Sequence, residues 1–281
     1  MITVRGFCDV NIRVEGDNLS TLRKTCNTLI DYGYQTIALN TCCEGSIFES
    51  KKKKKKGEPQ DRPTDPIPEP GYADLVKEFE GSLKIYQRLT VSIANQLEAH
   101  KLSQSPNAKK YNILAIHACS SMDIDIISFD PDHIGSVKCA RKMYNLAVNR
   151  GICFEIMYTP AIRDSSIRKN IIQMAHTYHT YGKSRNIIIS SGATNPLHVR
   201  GPYDIINLSL LFGLSEEQAK GAITTTCRQL LLKAAGRRLG KTVIIASRNQ
   251  NTIGKNSGDL DIENMDIDES ELPAQKRLKQ E

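Results

Sequence analysis

Short apolar strands alternate with amphipathic helices through residues 1–250, and this alternation predicts a parallel α/β barrel of the TIM type. Eight strand candidates in that length match the eight strand–helix units of such a barrel. The intervening helices would supply the crossover connections that parallel strands need. An open, doubly wound sheet is the alternative, because the number of strands does not by itself distinguish a closed sheet from an open one.

The strand candidates are short apolar runs, most of them rich in β-branched side chains. Most of the segments between them are long enough to hold a helix, as parallel connections require. In chain order the candidates are Val4–Ile12, Gln35–Leu39, Leu83–Ile93, Ile113–His117, Ile124–Phe129, Cys153–Met157, Ile187–Ser190 and Val243–Ala246.

Three segments between the strands place their apolar residues at helical spacing. They are Asn18–Tyr32, Val137–Asn149 and Ser165–Tyr181. The second is followed by Gly151 and the third by Gly182, and glycine is the commonest residue just beyond the end of a helix. We therefore expect helices that end at these glycines.

Two segments are expected outside the packed part of the barrel domain. Ser50–Pro70 contains six consecutive lysines, Lys51–Lys56, and then five prolines, so it is predicted to be a solvated loop inserted after the second strand. Residues 251–281 contain eight acidic and four basic residues and are predicted to be a disordered acidic tail. Since the whole chain has a net charge of +7, residues 1–250 carry +11, which favours a polyanionic partner. No apolar run approaches the roughly 20 residues of a membrane span, so no membrane partner is expected.

The alternation of side chains along the strands predicts a polar network inside the barrel. If the apolar faces of the strands meet the helices, the interior receives Asp9, Asn11, Arg88 and Glu155. Charged groups in that place must be paired or must reach water. We expect Arg88 to lie beside Asp9 or another interior carboxylate.

A basic segment near the end of the barrel domain predicts a phosphate-binding surface. From Gln218 to Gln250 there are seven basic residues and no acidic one, whereas an ordinary solvated helix face carries both signs. Basic residues in other connections could extend this surface. The RNA-binding candidates are Arg168, Lys169, Arg200, Arg228, Lys233, Arg237, Arg238 and Lys241.

Five segments carry a resemblance to a known family. They are Phe7–Ile12, Asp123–Asp130, Ile188–Ala193, Arg200–Asp204 and Phe212–Ser215. In this order they resemble the thirty-kilodalton protein subunit of eukaryotic and archaeal ribonuclease P, over residues 1–247 without the lysine–proline loop. The resemblance implies a TIM-like barrel related to the polymerase-and-histidinol-phosphatase (PHP) hydrolases.

The resemblance also implies a function and partners. The chain would be a noncatalytic, RNA-binding subunit of a nuclear and nucleolar particle that removes 5′ leaders from precursor tRNA, and of the related ribonuclease MRP, which processes rRNA. Its partners would be the ribonuclease P RNA, precursor tRNA, a small RRM-like subunit and the other proteins of the particle. Lys51–Lys56 could bind RNA without sequence specificity or serve nuclear import, and the group Lys276, Arg277 and Lys279 could serve nuclear import.

The chain departs from the PHP hydrolases at their metal-binding positions. Where they begin with D-x-H-x-H, this chain has Asp9, Asn11 and Arg13, and an arginine repels a cation. Their later D-x-H corresponds to Gly192–Thr194, which lacks a strong metal ligand. We therefore expect no catalytic residue, metal or cofactor in this chain.

Two other functions are open on the sequence. One is a metal-dependent phosphoesterase of the PHP type with an atypical site built on Asp9, His133, Glu155 and Asp204. The other is a protein-interaction scaffold whose basic surface has no ligand.

Overall fold

The computed structural model describes residues 6–14, 16, 18–48, 65–117, 123–131 and 140–240. Within these residues seven strands form one sheet in which every neighbouring pair is parallel and the spatial order follows the chain order. The strands are β1 (Phe7–Arg13), β2 (Tyr34–Glu44), β3 (Lys84–Ser92), β4 (Ile113–Ile116), β5 (Ile126–Ile127), β6 (Cys153–Met157) and β7 (Ile187–Ser190).

The sheet closes on itself between its first and last strands. The amide of Gly192, directly after β7, donates to the Asn11 carbonyl at 2.9 Å, and the Arg13 amide donates to the Ala193 carbonyl at the same distance. Ile12 and Ala193 form a parallel bridge. The predicted barrel is therefore confirmed, and the open sheet is ruled out because its edge strands would not meet.

Helices surround the sheet, and local sequence explains where several of them begin. The side chain of Asn18 accepts a hydrogen bond from the Thr21 amide and starts the first helix. Ser215 and Gln218 form a reciprocal capping box. The helices are α1 (Leu19–Asp31), α2 (Ala73–Glu78), α3 (Gln96–Gln104), α4 (Pro106–Lys110), α5 (Arg141–Asn149), α6 (Tyr158–Arg163), α7 (Ser165–Gly182), α8 (Pro202–Leu211), α9 (Glu216–Ala222) and α10 (Thr225–Leu239).

Helix α10 covers the end of the barrel at which the strands begin. Its side chains reach the carbonyls of Asn112, one residue before β4, and Ile124, two residues before β5, and the amide of Cys8 in β1 donates to the Ile223 carbonyl. Apolar side chains of α10 pack in one cluster with interior residues of the seven described strands. This interior cluster consists of Cys8, Val10, Ala38, Tyr86, Ile113, Ala115, Ile126, Cys153, Ile188, Cys227, Leu230 and Leu231.

The larger apolar cluster lies between the sheet and the helices. From β3 the larger cluster includes Leu89 and Val91, whereas Tyr86 belongs to the interior cluster. The side chains of this strand therefore alternate between the two faces, as the sequence predicts. On β6, Phe154 and Ile156 likewise point away from the interior. Alternation along a strand thus divides the buried residues into an inner and an outer core.

One predicted solvated segment is partly packed. Of Ser50–Pro70, residues 65–70 are described, and there Ile67 is buried in the core. The Asp65 carboxylate accepts from the Ser105 hydroxyl at 2.6 Å and from the Asn107 amide at 2.9 Å, at the start of α4. The prediction of a wholly solvated loop is therefore wrong for this part, because an apolar side chain and a helix-capping carboxylate tie it down. Residues 50–64, the strand candidate Val243–Ala246 and the acidic tail lie outside the described residues.

Among the helices of the described residues, none combines the length and the apolar character needed to span a bilayer.

Candidate functional site

A buried salt bridge occupies the centre of the barrel. Arg88 on β3 donates to both carboxylate oxygens of Glu155 on β6, each at 2.6 Å, and neither side chain is exposed to solvent. Such a two-pronged contact matches the planar guanidinium to the carboxylate. Arg88 also donates to the Val10 carbonyl at 3.0 Å and to the Thr90 hydroxyl at 3.0 Å. The strand alternation thus brings together the interior charge pair that the sequence suggests.

Further polar side chains complete this network. Asn11 donates to Glu155 at 3.0 Å and accepts from Asn40 at 2.7 Å, and the Ser190 hydroxyl donates to Glu155 at 2.6 Å. Burial opposes ionisation of Glu155, but the charge of Arg88 and the hydrogen bonds from Arg88 and Ser190 outweigh it and hold the pKa of Glu155 at about 2. The carboxylate is therefore ionised and fully engaged.

Asp9 lies elsewhere than predicted. Its carboxylate accepts from the amides of Asn11 and Ser191, each at 3.1 Å, at the junction of β1 and β7, while Arg88 binds Glu155. The cause is a β-bulge in β1. Asp9 pairs with Ile37 and Ile12 pairs with Leu39, so β1 advances three residues where β2 advances two. The extra residue lets Val10 and Asn11 both reach the interior and leaves Asp9 at the seam.

Burial raises the pKa of Asp9 from its ordinary value of 3.8 to about 6, against hydrogen bonds from Ser191 and Asn11 that favour the ionised form. Because the folded-state pKa lies above the unfolded one, the folded protein binds the proton more tightly, and stability is lost as pH rises from about 4 to about 6. The loss should approach about 2–3 kcal/mol.

This titration gives a testable difference between Asp9→Asn and the wild type. Urea unfolding at pH 4.5 and at pH 7 should show the wild type losing stability relative to Asp9→Asn as the pH rises. Asp31→Asn, at an exposed position, is the matched control and should run parallel to the wild type. Parallel curves for all three proteins would show that Asp9 does not titrate in this window.

The interior leaves no carboxylate oxygen free for a metal at Glu155. Both oxygens accept from Arg88, and one of them also accepts from Asn11 and Ser190. Within the described ranges, no three His, Cys, Asp or Glu side chains cluster as metal ligands would. Of the other atypical-site candidates, Asp204 is exposed in the first turn of α8, and His133 lies outside the described residues.

The basic helix near the end of the barrel divides into structural and exposed cations. Arg237 binds Asp125 through Nε and Nη2 at 2.8–3.1 Å, and its side chain is 11% exposed. Lys233 donates to the Ile124 carbonyl at 2.9 Å. The predicted phosphate-binding surface would require these two side chains to face solvent, but instead both anchor α10 at the end of the barrel where the strands begin.

Other cations of the same segment do reach solvent. Lys220 on α9 and Arg228 and Arg238 on α10 are exposed, and none has an ion-pair partner among the described residues. Between Gln218 and Gly240 there is no acidic residue. We call Lys220, Arg228 and Arg238 the α10 basic face. Lys241 lies outside the described residues, as do Lys276, Arg277 and Lys279.

The remaining RNA-binding candidates do not extend this face. Arg168 lies in the first turn of α7 and donates to the Ala161 carbonyl at 2.6 Å, and Arg200 donates to the Leu197 and Val199 carbonyls. These residues and the exposed Lys169 follow β6 or β7, at the end of the barrel opposite to the one that α10 covers. The prediction of one continuous surface is wrong, because strand-to-helix connections and α10 occupy opposite ends.

A cavity of about 590 Å³ opens among those strand-to-helix connections. Arg13 at the end of β1, Arg163 at the end of α6, and Thr194 and His198 after β7 contribute to its lining. We call this cavity the barrel-mouth pocket. From the sequence, Arg13 is predicted only to repel a cation. The sequence signal that could identify Arg13 as a ligand contact is its position at the carboxyl end of a barrel strand, where ligand contacts concentrate.

The comparisons with known proteins agree on one family. The family described as RNase P subunit p30 matches residues 6–239. Ribonuclease P protein subunit p30 of Mus musculus is 32% identical over 251 residues, covering 85% of this chain and 89% of the mouse protein. The probable ribonuclease P protein subunit 3 of Schizosaccharomyces pombe is 32% identical over 245 residues, covering 83% and 95%. Ribonuclease P/MRP protein subunit RPP1 of Saccharomyces cerevisiae is 27% identical over 235 residues, covering 78% and 74%.

A solved structure has the same fold. A chain in the cryo-EM structure of archaeal ribonuclease P with mature tRNA superposes with a TM-score of 0.56 at 14% identity, covering 89% of this chain and all of that one. The family match spans most of the sequence, and relatives above 30% identity span more than four fifths of it. The resemblance carried by the five sequence segments is thereby confirmed, and this chain belongs to the ribonuclease P subunit p30 family.

Proposed function

We propose that the chain is a noncatalytic, RNA-binding subunit of nuclear ribonuclease P, which removes 5′ leaders from precursor tRNA, and that it also serves in ribonuclease MRP. Membership in the p30 family supports this proposal, as does the yeast relative, whose name includes both particles. The partners would be the RNA of the particle, precursor tRNA, a small RRM-like subunit and the other proteins of the particle. Lys276, Arg277 and Lys279 would direct the chain to the nucleus and nucleolus.

The observation that carries RNA binding is the α10 basic face. Arg228 and Arg238 reach solvent on α10, which has no acidic residue, so no carboxylate of that helix competes for them. Exposed arginine and lysine side chains bind phosphates without reading base sequence. Family membership and this unpaired positive charge favour an RNA-binding subunit over an interaction scaffold whose basic surface has no ligand.

The interior network argues against the phosphoesterase alternative. A hydrolytic metal needs several anionic or imidazole ligands with open positions. Here Arg88 neutralises Glu155, and the side-chain amide of Asn11 is hydrogen-bonded to Glu155 and Asn40. The barrel interior of this chain thus holds a structural charge pair in the place where a hydrolase would need free ligands.

The proposal predicts a specific salt dependence. Replacing Arg228 and Arg238 together with glutamine should weaken the binding of the purified chain to precursor tRNA and to an unrelated structured RNA by similar factors, because phosphate contacts do not read sequence. The slope of log affinity against log salt should become shallower by about 1.4–1.8 units, since two counterion-releasing contacts are lost.

The matched control removes the same amount of charge from another part of the surface. Lys24 on α1 and Lys77 on α2 are exposed, and the double variant Lys24→Gln/Lys77→Gln should keep the wild-type slope. If the folded Arg228→Gln/Arg238→Gln protein also kept that slope, the α10 basic face would not hold RNA.

A further inference from the structure

The barrel-mouth pocket lies where parallel barrels place their ligands. Arg13 ends β1, Thr159 and Arg163 follow β6, and Gly192 and Thr194 follow β7, so the pocket opens at the carboxyl ends of the strands. It lies at the opposite end of the barrel from α10. A ligand bound here would therefore make contacts separate from those of the α10 basic face.

Two polar atoms in the pocket lining lack the partners that buried groups normally have. The Nε atom of Arg13 and the Nδ1 atom of His198 are buried and have no hydrogen-bond partner within the described part of the chain. Among the described residues, the one hydrogen-bond contact of the Arg13 guanidinium is with the Met157 sulfur, 3.9 Å from Nη2, and thioether sulfur is a weak acceptor. Because buried donors are normally hydrogen-bonded, the unpartnered Nε of Arg13 favours a bound ligand that accepts a hydrogen bond.

Charge in the pocket identifies the kind of acceptor. Arg13 and Arg163 have no salt-bridge partner among the described residues, so both guanidinium groups remain available. Two carboxylates also line the pocket, Asp130 and Asp164. The Asp164 side chain caps the N-terminus of α7, where its Oδ1 accepts from the Ser166 and Ile167 amides at 2.6 and 3.1 Å. The two carboxylates offset the formal charge of the two arginines, so the preference for an anion rests on the unpartnered Arg13 donor and on guanidinium groups without a carboxylate partner, which pair best with phosphate or carboxylate.

We propose that the barrel-mouth pocket binds a phosphate group of RNA, with Arg13 and Arg163 as its cationic contacts. The choice of RNA as the source of the phosphate rests on the proposed function. A volume of about 590 Å³ is large enough for a nucleotide around that phosphate rather than for a bare ion alone. Thr159, Thr194 and Asn195 offer hydroxyl and amide groups beside it.

The test is an NMR titration of the full chain with a 5′-phosphorylated trinucleotide RNA and with inorganic phosphate. We expect amide shifts at Gly192, Thr194 and Asn195. Arg13→Gln and Arg163→Gln should each weaken binding about ten-fold, as the loss of one charged hydrogen bond would. Arg163 is exposed, so its replacement should leave the fold intact and keeps the test valid if the Arg13 variant unfolds.

Two further arms separate the possible outcomes. The same trinucleotide with a 5′-hydroxyl group should bind more weakly if the pocket takes a terminal phosphate and equally if it takes an internal phosphodiester, and both results support the pocket. The Arg228→Gln/Arg238→Gln variant should bind the trinucleotide like the wild type, so a failure of the α10 basic face does not affect this result. Unchanged affinity in Arg163→Gln, or the absence of shifts at the three amides, would overturn the inference.

Discussion

Replacing Arg88 with alanine should lower the free energy of unfolding by about 3–5 kcal/mol, the cost of leaving one member of a buried ion pair without its partner. Glu155 would keep hydrogen bonds from Asn11 and Ser190 but would lose both guanidinium contacts. Its negative charge would then be buried at the centre of the barrel without a counter-ion. Chemical unfolding measures the change directly.

The matched control is Arg228→Ala, which removes the same side chain from an exposed position and should change stability by no more than about 0.5 kcal/mol. The double variant Arg88→Met/Glu155→Leu removes both charges and should recover part of the loss, because no unpaired charge remains. Equal unfolding midpoints for Arg88→Ala and Arg228→Ala would mean that the pair adds nothing to stability.

Strand alternation was sufficient to predict the interior where the strands are regular. Arg88 and Thr90 on β3 share a face, Glu155 on β6 faces them, and each strand shows the period of two in its sequence. On β1 the same reasoning failed, because a one-residue bulge changes the parity between Asp9 and Ile12. The bulge depends on how β1 pairs with β2, which single-strand patterns do not contain.

The basic helix shows a second limit of sequence patterns. On a helical projection Arg238 lies directly below Leu231 and Ala234, both buried, whereas Arg237 lies toward the edge of that face. The structure has the opposite outcome, with Arg238 exposed and Arg237 nearly buried. What decides is Asp125, which precedes β5 and meets the end of α10. That meeting is a tertiary contact between residues 112 positions apart.

Arg237→Ala should therefore destabilise the fold instead of altering only RNA binding. Arg237 supplies three of the hydrogen bonds to the Asp125 carboxylate, at 2.8–3.1 Å, and a further one to the Asn112 carbonyl at 3.3 Å. Without it, the fully buried Asp125 would retain the Leu114 amide at 2.8 Å as a donor. The cost should be about 3 kcal/mol, at the lower end for a broken buried pair because the arginine is partly exposed.

The neighbouring residue provides the control with the same chemistry. Arg238→Ala should leave stability within about 0.5 kcal/mol of the wild type, since its side chain is exposed, and should instead reduce the salt dependence of RNA binding. Adding Asp125→Asn to Arg237→Ala should restore part of the stability, because the unpaired buried charge is then gone. If Arg237→Ala and Arg238→Ala unfold at the same urea concentration, the Arg237–Asp125 pair does not anchor α10 across the end of the barrel.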